Sequence, residues 1–250
     1  MDQDTKIGGA GGRFPITQHS LVLAAASGEE DLRERAFEAL VTAYWKPVYK
    51  YIRIKWRATN EEAKDSTQEF FTRALEKEFF RRYDPSRAGF RTYLRTCLDA
   101  FLANEHKAAG RLKRGGGQRI LSLDFEDAEG ELRQQPIDAG EDPEEIFHRE
   151  WVRSLFGLAV EALEESCRAK GKPLHFELFR TYDLDPPAEG RPTYAELARR
   201  HGQPVTQITN FLAAVRRDFR RLLLAKLEET TGSAAEFRQE ARALLGIDPS

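Results

Sequence analysis

The sequence predicts an all-α protein with two helical domains joined by a long acidic linker. Apolar residues recur at three- and four-residue spacing through most of the chain, alternation is confined to one short stretch, and a run of carboxylates breaks the pattern at mid-chain. The expected divisions are a disordered start over 1–13, a first helical domain over 14–113, the linker over 114–142, a second domain over 143–230 and an extension over 231–250.

Residues 8–12, GGAGG, belong to a polar, Gly-rich start that favours disorder. Ser20 is a suitable N-cap for the apolar run Leu21 to Ala24, which Gly28 stops. A second helix is expected over 30–56, with Phe37, Leu40, Val41, Tyr44, Trp45, Val48 and Ile52 at helical spacing and a kink at Pro47. Asn60, followed by Glu61 and Glu62, starts a third helix that reaches about Lys77, because acids suit the positive end of the helix dipole. Arg81 to Gly89 reads as a turn-rich loop, and a fourth helix over 90–112 places Phe90, Leu94, Leu98 and Phe101 on one face.

Gly115-Gly116-Gly117 opens the linker, whose second half carries Asp124, Glu126, Asp127, Glu129, Glu131, Asp138, Glu141 and Asp142. Such a charge block seldom enters a core. Within it Ile120 to Phe125 reads as extended. Asp142 and Pro143 then suit a helix start, and Ile146, Phe147, Trp151, Leu155, Ala159 and Leu163 continue it to about Lys170. Shorter helices are expected over 173–183 and 192–201, a longer one over 204–228, and a weak one over 233–245.

About a third of the residues are charged, yet the formal net charge of the 250-residue chain is −2. Any nucleic-acid surface is therefore local. Cys97 and Cys167 lie far apart with no CxxC or Cys/His spacing, which points to a reducing, cytoplasmic setting and away from a disulfide framework or a zinc site. No apolar run approaches membrane-spanning length, and the first residues lack a signal-peptide core, so no membrane insertion is expected. The five histidines are scattered, and neither GxSxG nor a phosphate loop occurs; the sequence calls for no catalysis, cofactor or metal.

The sharpest local signal surrounds Gly202. Thr193 to His201 forms a short helix, Gly202-Gln203 supplies a tight turn, and Pro204 opens a helix with Ile208, Leu212 and Val215 inward. Thr206, Gln207, Thr209 and Asn210 lie outward, followed by Arg216, Arg217, Arg220 and Arg221. Short polar side chains at a helix start reach base edges, and later arginines hold phosphate, as in a helix-turn-helix. The same pattern also describes a surface helix with a solvated arginine face. A second constellation is Asp65 to Leu75, where Asp65, Gln68, Glu69 and Thr72 share one face and Phe70, Phe71 and Ala74 the other. Taken alone, this is an ordinary amphipathic helix.

In order and spacing, residues 14–230 resemble the sigma-70 superfamily, most nearly its extracytoplasmic-function group, which keeps only sigma domains two and four. The resemblance implies that Asp65, Gln68, Glu69 and Thr72 lie on the helix that docks on the beta-prime subunit of core RNA polymerase. It implies that the loop Arg81–Ala88 and the segment Gly89 to His106 melt and read minus-ten promoter DNA, through Arg82, Tyr83, Arg87, Arg91, Tyr93, Arg95, Asn104, Lys107 and Arg111. Minus-35 recognition falls to Thr206, Gln207, Thr209, Asn210, Arg216, Arg217 and Arg220. Among the aromatics, Tyr83 is assigned to a base pocket and Phe90 to the core, with stacking as the pocket's contribution. The segments Phe14–Thr17, Lys113–Gly117 and Ser122–Phe125 resemble a subgroup with a long linker, which implies passage of the linker through a polymerase channel and contact with the beta subunit.

The sequence departs from the family where Arg-Asn is frequent in the melting helix: it has Asp99-Ala100. An acid facing DNA repels phosphate, and Arg95, four residues earlier, is an available partner. Family members are commonly controlled by an anti-sigma protein, a C-terminal extension or phosphorylation. A Ser/Thr kinase acting at Ser66 or Thr67 would add charge beside Asp65 and Glu69. The acidic stretch 124–145 is expected to fold over a DNA-binding surface in the free protein. Other readings are a stand-alone helix-turn-helix regulator and a sigma-fold adaptor that binds polymerase or another regulator without opening promoters.

Overall fold

In the computed structural model, the residues described are 20–76, 79–108, 123–134, 141–188 and 190–247. They form helices α1 (Leu21–Ala25), α2 (Glu30–Lys55), α3 (Asn60–Glu76), α4 (Phe90–Ala108), α5 (Phe125–Gln134), α6 (Pro143–Ala169), α7 (Pro173–Phe179), α8 (Tyr194–His201), α9 (Val205–Glu229) and α10 (Ala234–Leu245), and there is no strand among them. A 3-10 turn, Phe79–Arg82, leads toward α4, and a wide π turn, Arg180–Leu184, follows α7.

Several starts have the caps their sequences suggest. The Ser20 and Asp142 side chains accept from Leu23 and Glu144 N–H, and Pro143 takes the first position of α6, where its missing N–H costs nothing. Helix α3 starts at Asn60 as expected, but its cap comes from the residue before it. Thr59 and Glu62 form the reciprocal cap, with Thr59 N–H donating to Glu62 Oε2 at 2.8 Å, which leaves Asn60 to accept from the Tyr49 hydroxyl. Helix α2 continues through the buried Pro47.

Helix α2 is the centre of the molecule. Its residues Phe37, Leu40, Tyr44, Val48 and Ile52 join a core with Phe70 and Phe71 of α3, and Phe90, Leu94 and Leu98 of α4. Phe147, Trp151, Leu155 and Ala159 of α6, Leu223 and Leu227 of α9, and Ala241 of α10 belong to that same core. The expected picture of two helical bodies separated by a tether therefore does not describe the packing. Helix α6 begins against α2 and the last turns of α9 join the same core, while their other ends build two smaller clusters. One holds Leu163, Cys167, Phe176, Phe179 and Val215; the other holds Leu178, Leu197, Ala198, Ile208 and Leu212. Burying side chains the size of Trp151, Leu223 and Leu227 stabilises by about 1.5–3 kcal/mol each, and that apolar area is what draws the two halves together.

The acidic stretch is also not an extended tether over its described part. Phe125 and Ala128 are buried in the main core, and Phe125 meets Trp45 and Tyr49 with ring centroids 5.4 and 5.3 Å away. Three cations on α2 make this possible. Lys46 Nζ lies 2.6 Å from Asp127 and 2.9 Å from Glu131, Lys50 reaches Glu131, and Arg53 grips both Glu129 oxygens at 2.8 and 3.0 Å. A charge block can enter a packed position when a cationic stripe faces it. Ile120 to Ser122, read as extended, lie outside the described residues, as do Phe14–Thr17 and Lys113–Gly117.

Candidate nucleic-acid interface

Helices α8 and α9 build the turn that the sequence predicts around Gly202. Thr193 and Glu196 form a reciprocal cap at the start of α8. Gly202 ends it in the left-handed region at φ 61°, where a side chain would be strained, and Gln203 N–H closes the turn on Ala198 O at 3.0 Å. Leu197 and Ala198 pack on Ile208 and Leu212, which fixes the start of α9 relative to α8. With Ile208 inward, Thr206, Gln207, Thr209 and Asn210 are all exposed on the first turns of α9, and Arg217 and Arg220 are exposed further along.

Arg216 departs from the expected phosphate-binding row. Its guanidinium makes a bidentate pair with Asp183, both contacts at 2.9 Å, and lies 5.3 Å from the Tyr182 ring centre. The Asp183 hydrogen bonds raise its pKa further, so it stays charged and engaged. The π turn after α7 carries Asp183 to this point, a placement that the helical pattern did not foretell.

Helix α4 and the turn before it carry the other predicted DNA contacts, and those around its start are largely engaged already. Phe90 is fully buried, as expected, against Tyr44. Tyr83 is half-buried, with its ring 5.3 Å from both Phe90 and Tyr93, and Tyr93 donates its hydroxyl to Phe79 O at 2.7 Å. Arg82, Arg87, Asn104 and Lys107 are exposed, whereas Arg111 lies outside the described residues. Arg91 stacks 4.6 Å from the Trp151 ring centre and pairs with Glu240 at 2.8 Å. Arg95 reaches Glu144 at 3.1 Å and Asp99 at 3.6 Å. Asp99 is thus not a bare acid: it also holds Lys55 at 2.8 Å and the Tyr51 hydroxyl at 3.0 Å.

On α3, Asp65 is exposed, and Gln68, Glu69 and Thr72 are half-buried along the same face, while Phe70, Phe71 and Ala74 point into the core. Glu69 pairs with Arg73 at 2.6 Å, and Arg73 bridges to Glu105 of α4 at 2.8 Å. Thr67 is a poor phosphate acceptor in this state, because it is fully buried and its hydroxyl donates to Ala63 O at 2.7 Å. Ser66 is half-buried.

The expected folding of 124–145 over the DNA-binding surface needs correction. Among the described residues of that stretch, only Glu144 pairs with that surface, through Arg95; Asp127, Glu129 and Glu131 go to the α2 cations, and Glu141 goes to Arg149 at 2.9 Å. The carboxylates that reach the start of α4 come from α10. Glu236 accepts from Phe90 N–H at 2.7 Å, from Gly232 N–H at 2.7 Å and from the Tyr83 hydroxyl at 3.3 Å. Burial raises the Glu236 pKa, and burial followed by Glu236 itself raises that of Tyr83. Ser233 and Glu236 carry the local signal of a helix start, but nothing in their spacing says where the glutamate points.

Among the described residues no group of His, Cys, Asp and Glu is arranged to hold a metal ion, and no helix is long and apolar enough to cross a membrane. Protein-family models, curated proteins and solved structures give no match to the chain.

Proposed function

We propose that this protein is a promoter-specificity subunit of RNA polymerase, an alternative sigma factor of the extracytoplasmic-function type acting in the cytoplasm. The observation that carries the reading is the α8–α9 turn, with Thr206, Gln207, Thr209 and Asn210 exposed together at the start of a helix whose next turns present Arg217 and Arg220. Glutamine and asparagine read adenine bidentately in the major groove, and the arginines hold the backbone. In this reading α1–α4 serve as domain two and α6–α9 as domain four. Asp65, Gln68, Glu69 and Thr72 dock on the beta-prime subunit, and Arg82, Tyr83, Arg87, Asn104 and Lys107 meet the melted minus-ten strand. Catalysis stays with the polymerase. Control by an anti-sigma protein or a Ser/Thr kinase is part of the same proposal.

Titration of labelled full-length protein with core polymerase tests this reading. Asp65→Ala, Gln68→Ala and Glu69→Ala together are expected to weaken binding by about tenfold or more, the scale of losing a few interface contacts. Failure of the unaltered protein to bind polymerase, with specific duplex binding retained, would put a stand-alone helix-turn-helix regulator in its place. The open α9 face beside an engaged α4 surface is the observation that favours this second reading.

A further inference from the structure

Two carboxylates of α10 occupy donors at the start of α4. Phe90 is the first residue of α4, so its N–H has no partner within the helix and lies at the positive end of the dipole. Glu236 Oε1 takes that N–H at 2.7 Å, and Glu240 Oε1 pairs with Arg91 at 2.8 Å. The approach is close on both sides. A Cβ on Gly89 would stand 2.7 Å from Glu236 Oε1, and a Cβ on Gly232 would land on the Tyr83 ring. The turn before α10 is pinned as well, since the Ser20 hydroxyl donates to Thr231 O and the Tyr44 hydroxyl to Thr230 O at 3.3 Å.

We propose that α10 is a self-inhibitory clasp, in which Glu236 and Glu240 hold the donors around Tyr83, Phe90 and Arg91 that an unpaired nucleic-acid strand would otherwise engage. A carboxylate and a phosphodiester present the same chemistry here: anionic oxygens that accept from a helix-start N–H, a phenol and a guanidinium. The neighbouring Arg82 and Arg87 remain exposed and add positive charge around the covered patch. The α9 face lies outside the clasp, so only single-strand binding is masked. The clasp rests on the reading of the α4 surface as one that meets unpaired DNA.

The test uses the full chain in two opened forms. Glu236→Ala with Glu240→Ala removes the carboxylates, and Gly232→Ala wedges α10 away from Tyr83 while leaving both acids in place. Hydrogen exchange over 83–93 and 230–245 reports opening, and fluorescence anisotropy reports binding of a labelled single-stranded oligonucleotide and of a duplex selected by the protein. Both forms are expected to exchange faster in those segments and to bind the single strand about tenfold more tightly, with duplex affinity within about twofold. Unchanged exchange would show that these residues do not hold α10, and faster exchange without a gain in single-strand affinity would show that α10 masks nothing; either result overturns the clasp. Run-off transcription by the unaltered protein with core polymerase separates the two ideas. Start sites together with no gain in the opened forms leave the sigma reading standing without the clasp. A gain in the opened forms together with no polymerase binding leaves the clasp without the sigma reading.

Discussion

The Lys50 ammonium lies 2.6 Å from the Glu150 carboxylate, and both side chains are 2% exposed. The pair ties α2 to α6, two helices that the sequence assigns to different halves of the molecule. Charges this deep are tolerated only when paired, and removing one partner leaves the other buried alone. Lys50→Met is therefore expected to lower stability to chemical denaturation by about 3 kcal/mol, near the low end for such pairs because Arg153 also reaches Glu150. Lys50→Met combined with Glu150→Leu is expected to recover most of the loss.

Acid should loosen α5 before α10. The Arg53 hydrogen bonds hold Glu129 below the ordinary glutamate value of 4.5. Burial alone would raise Glu131, but its bonds to Lys50 and Lys46 outweigh that and hold it low as well. A folded-state pKa below the unfolded one gives stability that is present above about 4.5 and lost as pH falls through the lowered values. Glu236 has the opposite sign: burial raises its pKa, so docking of α10 gains as pH falls through that raised value toward 4.5. Hydrogen exchange corrected for intrinsic rates, compared between about pH 6 and pH 3, should show α5 losing protection first.

Three kinds of residue on α9 should separate cleanly. Gln207→Ala and Asn210→Ala are expected to cost about 1–3 kcal/mol at individual base pairs and to relax preference there. Arg217→Ala and Arg220→Ala should weaken all duplexes alike and each lower the salt slope by about one. Arg216→Ala should instead destabilise the α7–α9 region, because its partners are Asp183 and Tyr182. Duplex selection, salt titration and thermal melting read the three outcomes.

Gly202→Ala should cost about 1–2 kcal/mol in a thermal melt, the strain of a side chain at φ 61°.

Local chemistry was the part legible in the sequence. Ser20, Asp142 and Pro143 marked helix starts, Gly202 marked the turn, and the spacing of Ile208, Leu212 and Val215 put Gln207 and Asn210 outside. What periodicity cannot carry is the partner of a face. The apolar row of α6 reads the same whether it meets α2 or a separate core. The carboxylates of α5 read as solvated until Lys46, Lys50 and Arg53 are brought opposite them, 76 to 85 residues away in sequence. Glu236 shows the same limit over 146 residues, because its meeting with Phe90 depends on where Ser20 and Tyr44 pin the turn before α10. Asp99 lies between: Arg95 was legible as a four-residue neighbour, while Lys55 and Tyr51 were not.

The most direct test of the central claim is run-off transcription with core RNA polymerase on a genomic promoter library, comparing the protein with a variant carrying Asp65→Ala, Gln68→Ala and Glu69→Ala. The sigma reading predicts discrete start sites with the protein and their loss with the variant. Polymerase binding without any start site, or start sites that persist in the variant, would contradict it.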